Sequence, residues 1–408
     1  MSDEAKARLR PANGNRWYCL ATVYGEQEEG SGAFFDIRLA EQNRVAWNRW
    51  VSAVLLEEQR AMLISRGFEA SELRPLSDEE NTNFLQIFAK RTKLPPPHPG
   101  SPIIFHSVRF DHPVSFENFV FPTDANFNGA AFEHKSSFVM AAFIERAFFS
   151  MLTFSRDAEF RGTKFFTNAC FDGSVFSGKA FFDNATFSGA IDFEASEFRS
   201  CTTFQFTKFL SHPPDFHDAE LREATVWHDA QWPPPPDRQR DAQDQVDEYA
   251  RLKAEMERLK KHEDEQFFFA KELRARRAWL RFKFRDGLRP VSVRTKCAFD
   301  WLLNGAYDVF GGYGLSVGSP TFWLVVLFAV GADIFALVPA YKGLPLAYDE
   351  AAGLSITNVI SFLPYKPIKD IADGLSPFAK IIGDLQSLLG VILLFLLGLA
   401  LRNRFRMK

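Results

Sequence analysis

The chain has 408 residues, a formal net charge of −3 and four scattered cysteines, Cys19, Cys170, Cys201 and Cys297. This length predicts two or more domains, and the near-neutral charge argues against a protein that attracts nucleic acid through its overall field. The cysteine spacing argues against a disulfide framework or a zinc site and indicates a reducing compartment.

The first hundred residues predict a leader, a small domain and a linker. Residues 1–14 are polar, lack the apolar core of a signal peptide and predict a disordered leader. Residues 15–93 predict a mainly helical domain without a catalytic constellation, in which Trp47 and Trp50 are core residues. Its predicted elements are a strand at Trp17–Tyr24, helices at Leu39–Leu55 and Leu56–Arg66, and a third helix opened by a capping box of Ser77 and Glu80. The proline-rich stretch 94–102 predicts a stiff linker.

Phenylalanine organises the next stretch. Twenty Phe recur from Phe105 to Phe209 at alternating steps of five and six residues, so the repeat unit is eleven residues long. Such a period fits neither an amphipathic helix nor an ordinary strand. It predicts a chain that turns a corner about every five residues and points one Phe inward from each short side. Ten of these Phe are predicted to form the centre of the core: Phe127, Phe132, Phe138, Phe143, Phe160, Phe165, Phe171, Phe176, Phe182 and Phe187.

Most of these Phe follow a small residue two places earlier. Examples are the triplets ANF at 125–127, AAF at 130–132, ACF at 169–171 and ATF at 185–187. This pattern resembles the Phe-rich members of the pentapeptide-repeat family, which form right-handed, four-sided β-helices. The resemblance implies a multidomain α and β protein with a β-helix over 103–222. Two units would make one coil, so ten units predict five coils, roughly 24 Å tall at the spacing of strands. The extra residue in every second unit implies a bulge or a widened corner.

The sequence offers little chemistry to this β-helix. Between Ile103 and Arg222 there are 15 acidic and 10 basic residues, which is too weakly acidic for the DNA mimicry of some pentapeptide-repeat proteins. We therefore expect no nucleic-acid partner, and a cytoplasmic protein is the alternative partner. His212, His217 and His228 have loose metal-like spacing, but packing or surface roles are favoured. Because no P-loop, nucleophile elbow or HExxH motif occurs, we expect neither an enzyme nor a cofactor.

Residues 237–287 predict a charged helical hairpin. Its narrow apolar seam comprises Val246, Tyr249, Leu252, Met256 and Leu259. The seam either caps the end of the β-helix or forms an oligomerising coiled coil. The run resembles the helical hairpin that follows the repeats in membrane-associated pentapeptide-repeat proteins.

A basic stretch follows and continues into the segment 288–320. Between Lys271 and Lys296 there are ten basic residues, two acidic residues and interleaved aromatics, including Trp279. Such a pattern could stack on nucleic acid. Its position just before an apolar segment instead favours contact with anionic lipid.

Two segments of 21 residues, Thr321–Tyr341 and Ile381–Leu401, are long and apolar enough to span a bilayer. Basic residues precede the first span and occupy the tail 402–408. By the positive-inside rule, both termini lie in the cytoplasm and 342–380 lies outside, which predicts a two-span protein of the bacterial inner membrane.

The outer loop contains an apolar segment dotted with Ser and Thr, 354–363, which is too short to span and predicts a re-entrant helix. The order of span, short helix and span resembles two-transmembrane pore-loop channels. Phe362–Lys366 stands where their filter would be, and no TVGYG-type filter is present. The GYG within Gly311–Gly314 precedes the first span and predicts a turn at the membrane surface.

The resemblance implies a homo-oligomeric ion channel or pore, with a tetramer favoured and a cytoplasmic pentapeptide-repeat assembly. The alternative is a membrane-anchored scaffold that binds a protein partner. The pore candidates are Asp333, Asp384, Gln386, Gly390, Gly398, Ser355, Thr357, Asn358 and Ser361. Asp333 either attracts cations in a water-filled pore or is a hydrogen-bonded Asp between helices. The small residues of the second span favour close packing over a hinge, and Gln386 is expected to bond across subunits.

Overall fold

The computed structural model describes residues 9–28, 35–341, 344–360 and 374–406. The chain forms two compact units. One comprises Met1–Asp237 and Asp244–Lys261, and the other comprises Arg238–Gln243 and His262–Lys408. A parallel β-solenoid of about five turns, several helices and two long apolar helices near the C-terminal end confirm the predicted mixed α and β, multidomain architecture.

Ahead of the solenoid, the described residues form the helices α1 (Arg16–Ala21), α2 (Ile37–Val51), α3 (Glu57–Ser65) and α4 (Asp78–Arg91), with 3₁₀ turns at Ala12–Gly14 and Ser52–Val54. The capping box of Ser77 and Glu80 at the start of α4 is confirmed. The predicted strand at Trp17–Tyr24 is wrong. Asn15 caps α1 by accepting hydrogen bonds from the amides of Trp17 and Tyr18. Every residue from Trp17 to Ala21 is buried, so the run carries no period that would distinguish a helix from a strand.

The prediction of a disordered leader is wrong for its second half. Residues 1–8 lie outside the described residues, but Arg10–Pro11 forms a strand that pairs in parallel with the first coil at Val108 and Arg109. The side-chain amide of Asn15 also donates to the Ile104 carbonyl at 2.8 Å. Strand pairing uses backbone groups, so the polar composition of this segment gave no sign of it.

Twenty short strands build the solenoid from 103 to 209, and each pairs in parallel with the strand one coil later. The first face contains Ile103–Ile104, Ala125–Asn126, Ala147–Phe148, Ala169–Cys170 and Ile191–Asp192. The second contains Val108–Phe110, Ala131–Phe132, Thr153–Phe154, Val175–Phe176 and Glu197–Phe198, with Arg10–Pro11 at its edge. The third contains Val114–Ser115, Ser136–Ser137, Ala158–Glu159, Ala180–Phe181 and Thr202–Thr203. The fourth contains Val120–Phe121, Ala142–Phe143, Lys164–Phe165, Thr186–Phe187 and Lys208–Phe209.

The inward Phe side chains stack in four columns. The rings of Phe138, Phe160 and Phe182 follow one another with centroids 4.8 and 5.1 Å apart and planes within 7° of parallel. Rings of neighbouring columns meet edge to face, as Phe149 and Phe160 do at 5.7 Å and 88°. All ten Phe that the sequence placed at the centre of the core are at most 1% exposed. Both the parallel stacks and the edge contacts are favourable aromatic geometries, so the period of 22 residues per coil is enforced by the core itself.

The structure locates the extra residue of every second unit. The five-residue steps contain a tight turn, as where the Phe119 amide donates to the Phe116 carbonyl at 3.2 Å. The third residue of each such turn has a positive φ: Ser107, Asn118, Gly129, Met140, Met151, Gly162, Gly173, Asn184, Ala195 and Phe206. The six-residue steps instead pass through a bend, as at Thr123, where the longer corner holds the extra residue.

The N-terminal helices close the first end of the β-helix. Trp47 Nε1 donates to the Val120 carbonyl at 2.8 Å. Asn48 donates to the Asn118 carbonyl and accepts from the Val120 amide, both at 2.9 Å. The Trp47 ring packs on Phe119, with centroids 5.7 Å apart. These contacts satisfy backbone groups of the first coil that would otherwise form an open edge.

The β-helix continues beyond the predicted end at Arg222. Trp227 stacks on Phe204 at 4.6 Å and 6°, and Trp232 packs on Phe209 at 5.2 Å. One added residue near Pro213 shifts the repeat, and Trp replaces Phe in two columns. For these two reasons, the spacing of Phe did not predict this coil. The solenoid therefore reaches residue 232.

The helix α5 (Gln239–Arg258) covers the second end through its C-terminal part. Tyr249 packs on Trp232 at 5.9 Å, and Arg258 donates to the Leu221 carbonyl at 3.1 Å. Tyr249, Leu252 and Met256 are buried. The seam thus caps the β-helix, and these three residues are not available to a coiled coil.

One carboxyl group in this cap is poorly solvated. Burial, and next the carboxylates of Asp215 and Asp244, raise the pKa of Glu248 to about 9. Its Oε2 is buried and has no hydrogen-bond partner among the residues that the structure describes. Glu248 is therefore protonated at neutral pH in the folded protein.

The described residues between 262 and 406 form the helices α6 (His262–Arg285), α7 (Val291–Gly311), α8 (Gly318–Leu337), α9 (Tyr348–Val359) and α10 (Pro377–Arg406), with a 3₁₀ turn at Gly312–Gly314. The predicted segment 288–320 is thus mostly the helix α7, which packs antiparallel against α6. The re-entrant helix predicted at 354–363 begins earlier and ends at Val359, and residues 361–363 lie outside the described residues.

Candidate membrane-embedded site

Among the described residues, two helices are long and apolar enough to cross a bilayer. These are α8, with 20 residues, and the Pro377–Phe405 portion of α10, with 29 residues. At 1.5 Å per residue, α8 is roughly 30 Å long, which matches the hydrocarbon core. The structure therefore contains two helices that fit the predicted spans in length and composition.

The short helix α9 packs between these two helices. An apolar cluster joins them: Phe335, Ala340, Leu346, Ala351, Leu354 and Ala379. Small side chains dominate it, so the helix backbones approach closely. Three of the cluster members are alanines, which suits the small-residue packing typical of helices in membranes.

A buried polar group fastens α9 to both long helices. Gln386 on α10 donates to the Ser355 hydroxyl at 2.6 Å and to the Leu327 carbonyl at 3.0 Å. Ser355 donates to the Phe328 carbonyl at 2.7 Å, and Asn358 donates to the Gln386 side-chain oxygen at 3.2 Å. We call Ser355, Asn358 and Gln386 the polar lock.

The polar lock gives the side chain of Gln386 partners within its own chain. The bond across subunits that the sequence predicts for Gln386 stays a prediction. Ser355 is 0% and Gln386 4% exposed. Buried polar groups that are paired in this way stabilise one arrangement of the three helices.

Glycines permit this close approach. A Cβ atom on Gly331 would lie 2.0 Å from Gln386 Nε2, and one on Gly390 would lie 2.4 Å from the Val359 carbonyl oxygen. A Cβ atom on Gly383 would lie 3.2 Å from Asn358 Nδ2, whereas one on Gly398 would meet no other described part of the chain within 4 Å. Gly390 therefore serves packing, and Gly398 lies on a surface.

The remaining pore candidates lie apart from the polar lock. Asp333 and Asp384 are exposed on the outer surfaces of α8 and α10. Thr357 donates to the Gly353 carbonyl of its own helix at 2.9 Å, and Ser361 lies outside the described residues. The predicted set thus separates into an internal lock and exposed carboxylates.

A second polar cluster lies just before α8. Tyr313 is fully buried in the turn that contains the GYG sequence, and its hydroxyl donates to Asn304 Oδ1 at 2.7 Å. Asn403 near the end of α10 donates to the Gly314 carbonyl at 3.2 Å and to Gln266 Oε1 at 3.4 Å. The turn is therefore bonded to α7 and α10, and α10 is bonded to α6. Burial, and next the carboxylate of Asp308, raise the pKa of Tyr313 to about 12, so its hydroxyl keeps its proton and its donor role.

Sequence reasoning predicted the turn around Tyr313 but missed Gly331, Asn403 and the hydrogen bond of the Tyr313 hydroxyl. Gly331 had a signal in the pair Gly331-Ala332, two small residues within a long apolar run, which favours close helix packing. The hydrogen bonds of Tyr313 and Asn403 had none, because a single side-chain hydrogen bond to another helix or turn leaves no period in a sequence.

Neither known proteins nor metal-ligating groups identify this site. No protein-family model, curated protein or solved structure matches the chain. Within 9–28, 35–341, 344–360 and 374–406, no group of three or more His, Cys, Asp or Glu is placed to hold a metal ion. His217 and His228 lie beside Asp218 and Asp229, their chain neighbours.

Proposed function

We propose that the chain is the subunit of a homo-oligomeric membrane pore that conducts ions, with four subunits favoured. The observation that carries this proposal is α9, which the polar lock holds between α8 and α10. A plain membrane anchor needs no helix other than its membrane spans. A short helix fixed between the spans is the element that pore-loop channels use to support a conduction path.

The exposed carboxylates support an oligomer. A charged Asp at the centre of a lipid-facing helix costs roughly 2.5 to 3.5 kcal/mol on insertion scales. Asp333 lies four residues before the end of α8 and is exposed on the single chain, so this cost is an upper bound for Asp333. In an oligomer, Asp333 would face a neighbouring subunit or a water-filled path, and Asp384 would lie nearer the membrane surface.

The distribution of basic residues sets the orientation that we propose. Arg402 and Arg404 follow the apolar part of α10, and the basic helix α6 precedes α8. The positive-inside rule then places both termini, and the β-helix with them, in the cytoplasm of a bacterium. We assign the repeats to the pentapeptide-repeat family on their Phe period and four-faced solenoid. The protein acts in this proposal without enzymatic chemistry.

Ion flux through reconstituted protein tests the proposal. Full-length protein in liposomes is expected to conduct cations and to run as an oligomer in detergent. Asp333→Asn should lower the cation flux and leave assembly unchanged, whereas Gly398→Ala should leave both unchanged. A well-folded sample that is monomeric and conducts no ions would refute the proposed pore.

The capped β-helix favours a second candidate function, that of a membrane-anchored scaffold. Trp47 and Asn48 cover one end, and Tyr249 and Arg258 cover the other, so a partner would bind the side faces of the β-helix. A cytoplasmic protein that binds these faces, together with silent liposomes, would support this function over the pore.

A further inference from the structure

The helices α6 and α7 form a basic groove of about 520 Å³. Three cationic residues line it: Arg276 and Lys283 from α6 and Lys296 from α7. Among the described residues, none of the three has a carboxylate within ion-pair distance. Asp300 also lines the groove, so the net charge of the lining is positive.

The groove has an apolar and aromatic wall beside its charges. Trp279 lies on this wall, and the Lys283 ammonium sits over its ring, 3.4 Å from the centroid. A cation–π contact of this kind holds the ammonium in place. Leu280 and Leu303 complete the wall. A ligand with an anionic head and an apolar body fits such a lining.

The outer side of α7 places this groove at a membrane surface. From Ala298 to Phe310 every exposed residue is apolar: Phe299, Trp301, Leu302, Leu303, Val309 and Phe310. The opposite side of the helix packs on α6, since Asn304 donates to the Leu273 carbonyl at 3.1 Å. An amphipathic helix with such an apolar face lies in the plane of a lipid interface.

The end of α7 is joined to the start of α8. Trp323 near the start of α8 donates to the Val309 carbonyl at 3.1 Å, and its ring lies 5.1 Å from that of Phe310. Tryptophan at the end of a span is typical of the headgroup level. The end of α7 and the start of α8 are therefore bonded together where the bilayer begins.

We propose that the groove formed by Arg276, Lys283, Lys296 and Trp279 binds the phosphate headgroup of an anionic phospholipid. Guanidinium and ammonium groups donate to the phosphate oxygens, and Trp279 with the two leucines contacts the glycerol and upper acyl region. The proposal rests on the membrane insertion of α8 and α10 but not on ion conduction, so a silent pore would leave it standing.

Lipid counting on the full-length protein tests this site. The protein in mild detergent is titrated with dioctanoyl phosphatidylglycerol, with dioctanoyl phosphatidylcholine and with inorganic phosphate, and native mass spectrometry counts the bound molecules. The wild type is expected to prefer the anionic lipid. Equal affinity for the choline lipid, or equal affinity for inorganic phosphate, would overturn the assignment.

A matched pair of double variants separates the groove from general charge. R276Q/K283Q removes two cations from the groove and should weaken binding of the anionic lipid by roughly tenfold or more. R281Q/R285Q removes the same charge from exposed positions elsewhere on α6 and should change the affinity less than about twofold. An equal loss in both variants would show attraction without a site and would refute the proposal. Solubility and helical content of both variants provide the check on folding.

Discussion

Gly390→Ala tests whether α9 is locked against α10. The added Cβ atom would lie 2.4 Å from the Val359 carbonyl oxygen and 3.0 Å from the Val359 Cα atom. Since Cβ atoms approach other heavy atoms no closer than about 3.4 Å in ordinary contact, the two helices must separate by about 1 Å. Overpacking of this kind costs typically 1 to 3 kcal/mol, and the gain of an Ala in a helix offsets at most about 1 kcal/mol.

The same separation also weakens the polar lock. The Asn358 Nδ2 to Gln386 Oε1 distance is already 3.2 Å, and a further separation of about 1 Å takes this pair beyond hydrogen-bond range. Hydrogen bonds between helices in membranes contribute on average about 0.6 kcal/mol. The net destabilisation expected for Gly390→Ala is therefore about 1 to 2 kcal/mol.

Thiol labelling measures this local effect. Ala351→Cys places a reporter thiol at a fully buried position of α9, in a background without the four native cysteines. Gly390→Ala should accelerate labelling roughly 5-fold to 30-fold, because labelling follows the local opening equilibrium. Gly398→Ala is the matched control on the same helix and should not accelerate labelling, since nothing lies within 4 Å of its Cβ position. Equal rates in the two variants would refute the packing argument.

Three further predictions concern the β-helix and its caps. Phe160→Ala should lower the free energy of unfolding by about 3 to 5 kcal/mol in denaturant titrations, because the Phe160 ring is fully buried in the core. The outward Phe181→Ala should lower it by only about 1 kcal/mol. Similar losses of stability in the two variants would contradict the stacked core. Asn48→Ala leaves a backbone amide and a carbonyl of the first coil without their partners and should cost about 2 to 3 kcal/mol by the same measurement; a neutral result would mean that water replaces the cap. The pKa of Glu248 is raised from 4.5 to about 9 in the folded protein. Between pH 4.5 and about pH 9, the folded state therefore keeps a proton on Glu248 that the unfolded state has lost, and the free energy of unfolding falls as the pH rises. Glu248→Gln should remove that slope and stabilise the protein at pH 7 by up to about 3 kcal/mol, and an unchanged pH profile would contradict the burial of this carboxyl group.

The sequence predicted the β-helix because its core repeats one residue type at a fixed step. Each Phe that points inward must lie over the Phe 22 residues earlier, so geometry and sequence share one period, as for Phe138 and Phe160. The last coil was not predicted, because one added residue near Pro213 breaks the regular step and Trp227 takes the place of a Phe. A regular spacing in the sequence reveals the coils that keep it, but it misses a coil that contains an inserted residue.

The ends of the solenoid were harder to predict for a related reason. Trp47 and Asn48 bind backbone groups of the first coil, and Arg10–Pro11 adds a strand beside it. Backbone donors and acceptors are present at every residue, so a sequence does not mark which of them a distant side chain will satisfy. The same is true of Asn403, which donates to the Gly314 carbonyl.

The helices α8, α9 and α10 show that polar residues in apolar segments can serve two purposes. Ser355, Asn358 and Gln386 were predicted as pore residues because polar groups in apolar segments often line a path. In the structure they pair with one another and with the Leu327 and Phe328 carbonyls, so their substitution acts first on the packing of α9. Asp333 and Asp384 have no part in that network. An effect of these carboxylates on flux without loss of stability would therefore report on conduction, whereas an effect of the polar lock on flux would report on the arrangement of the helices.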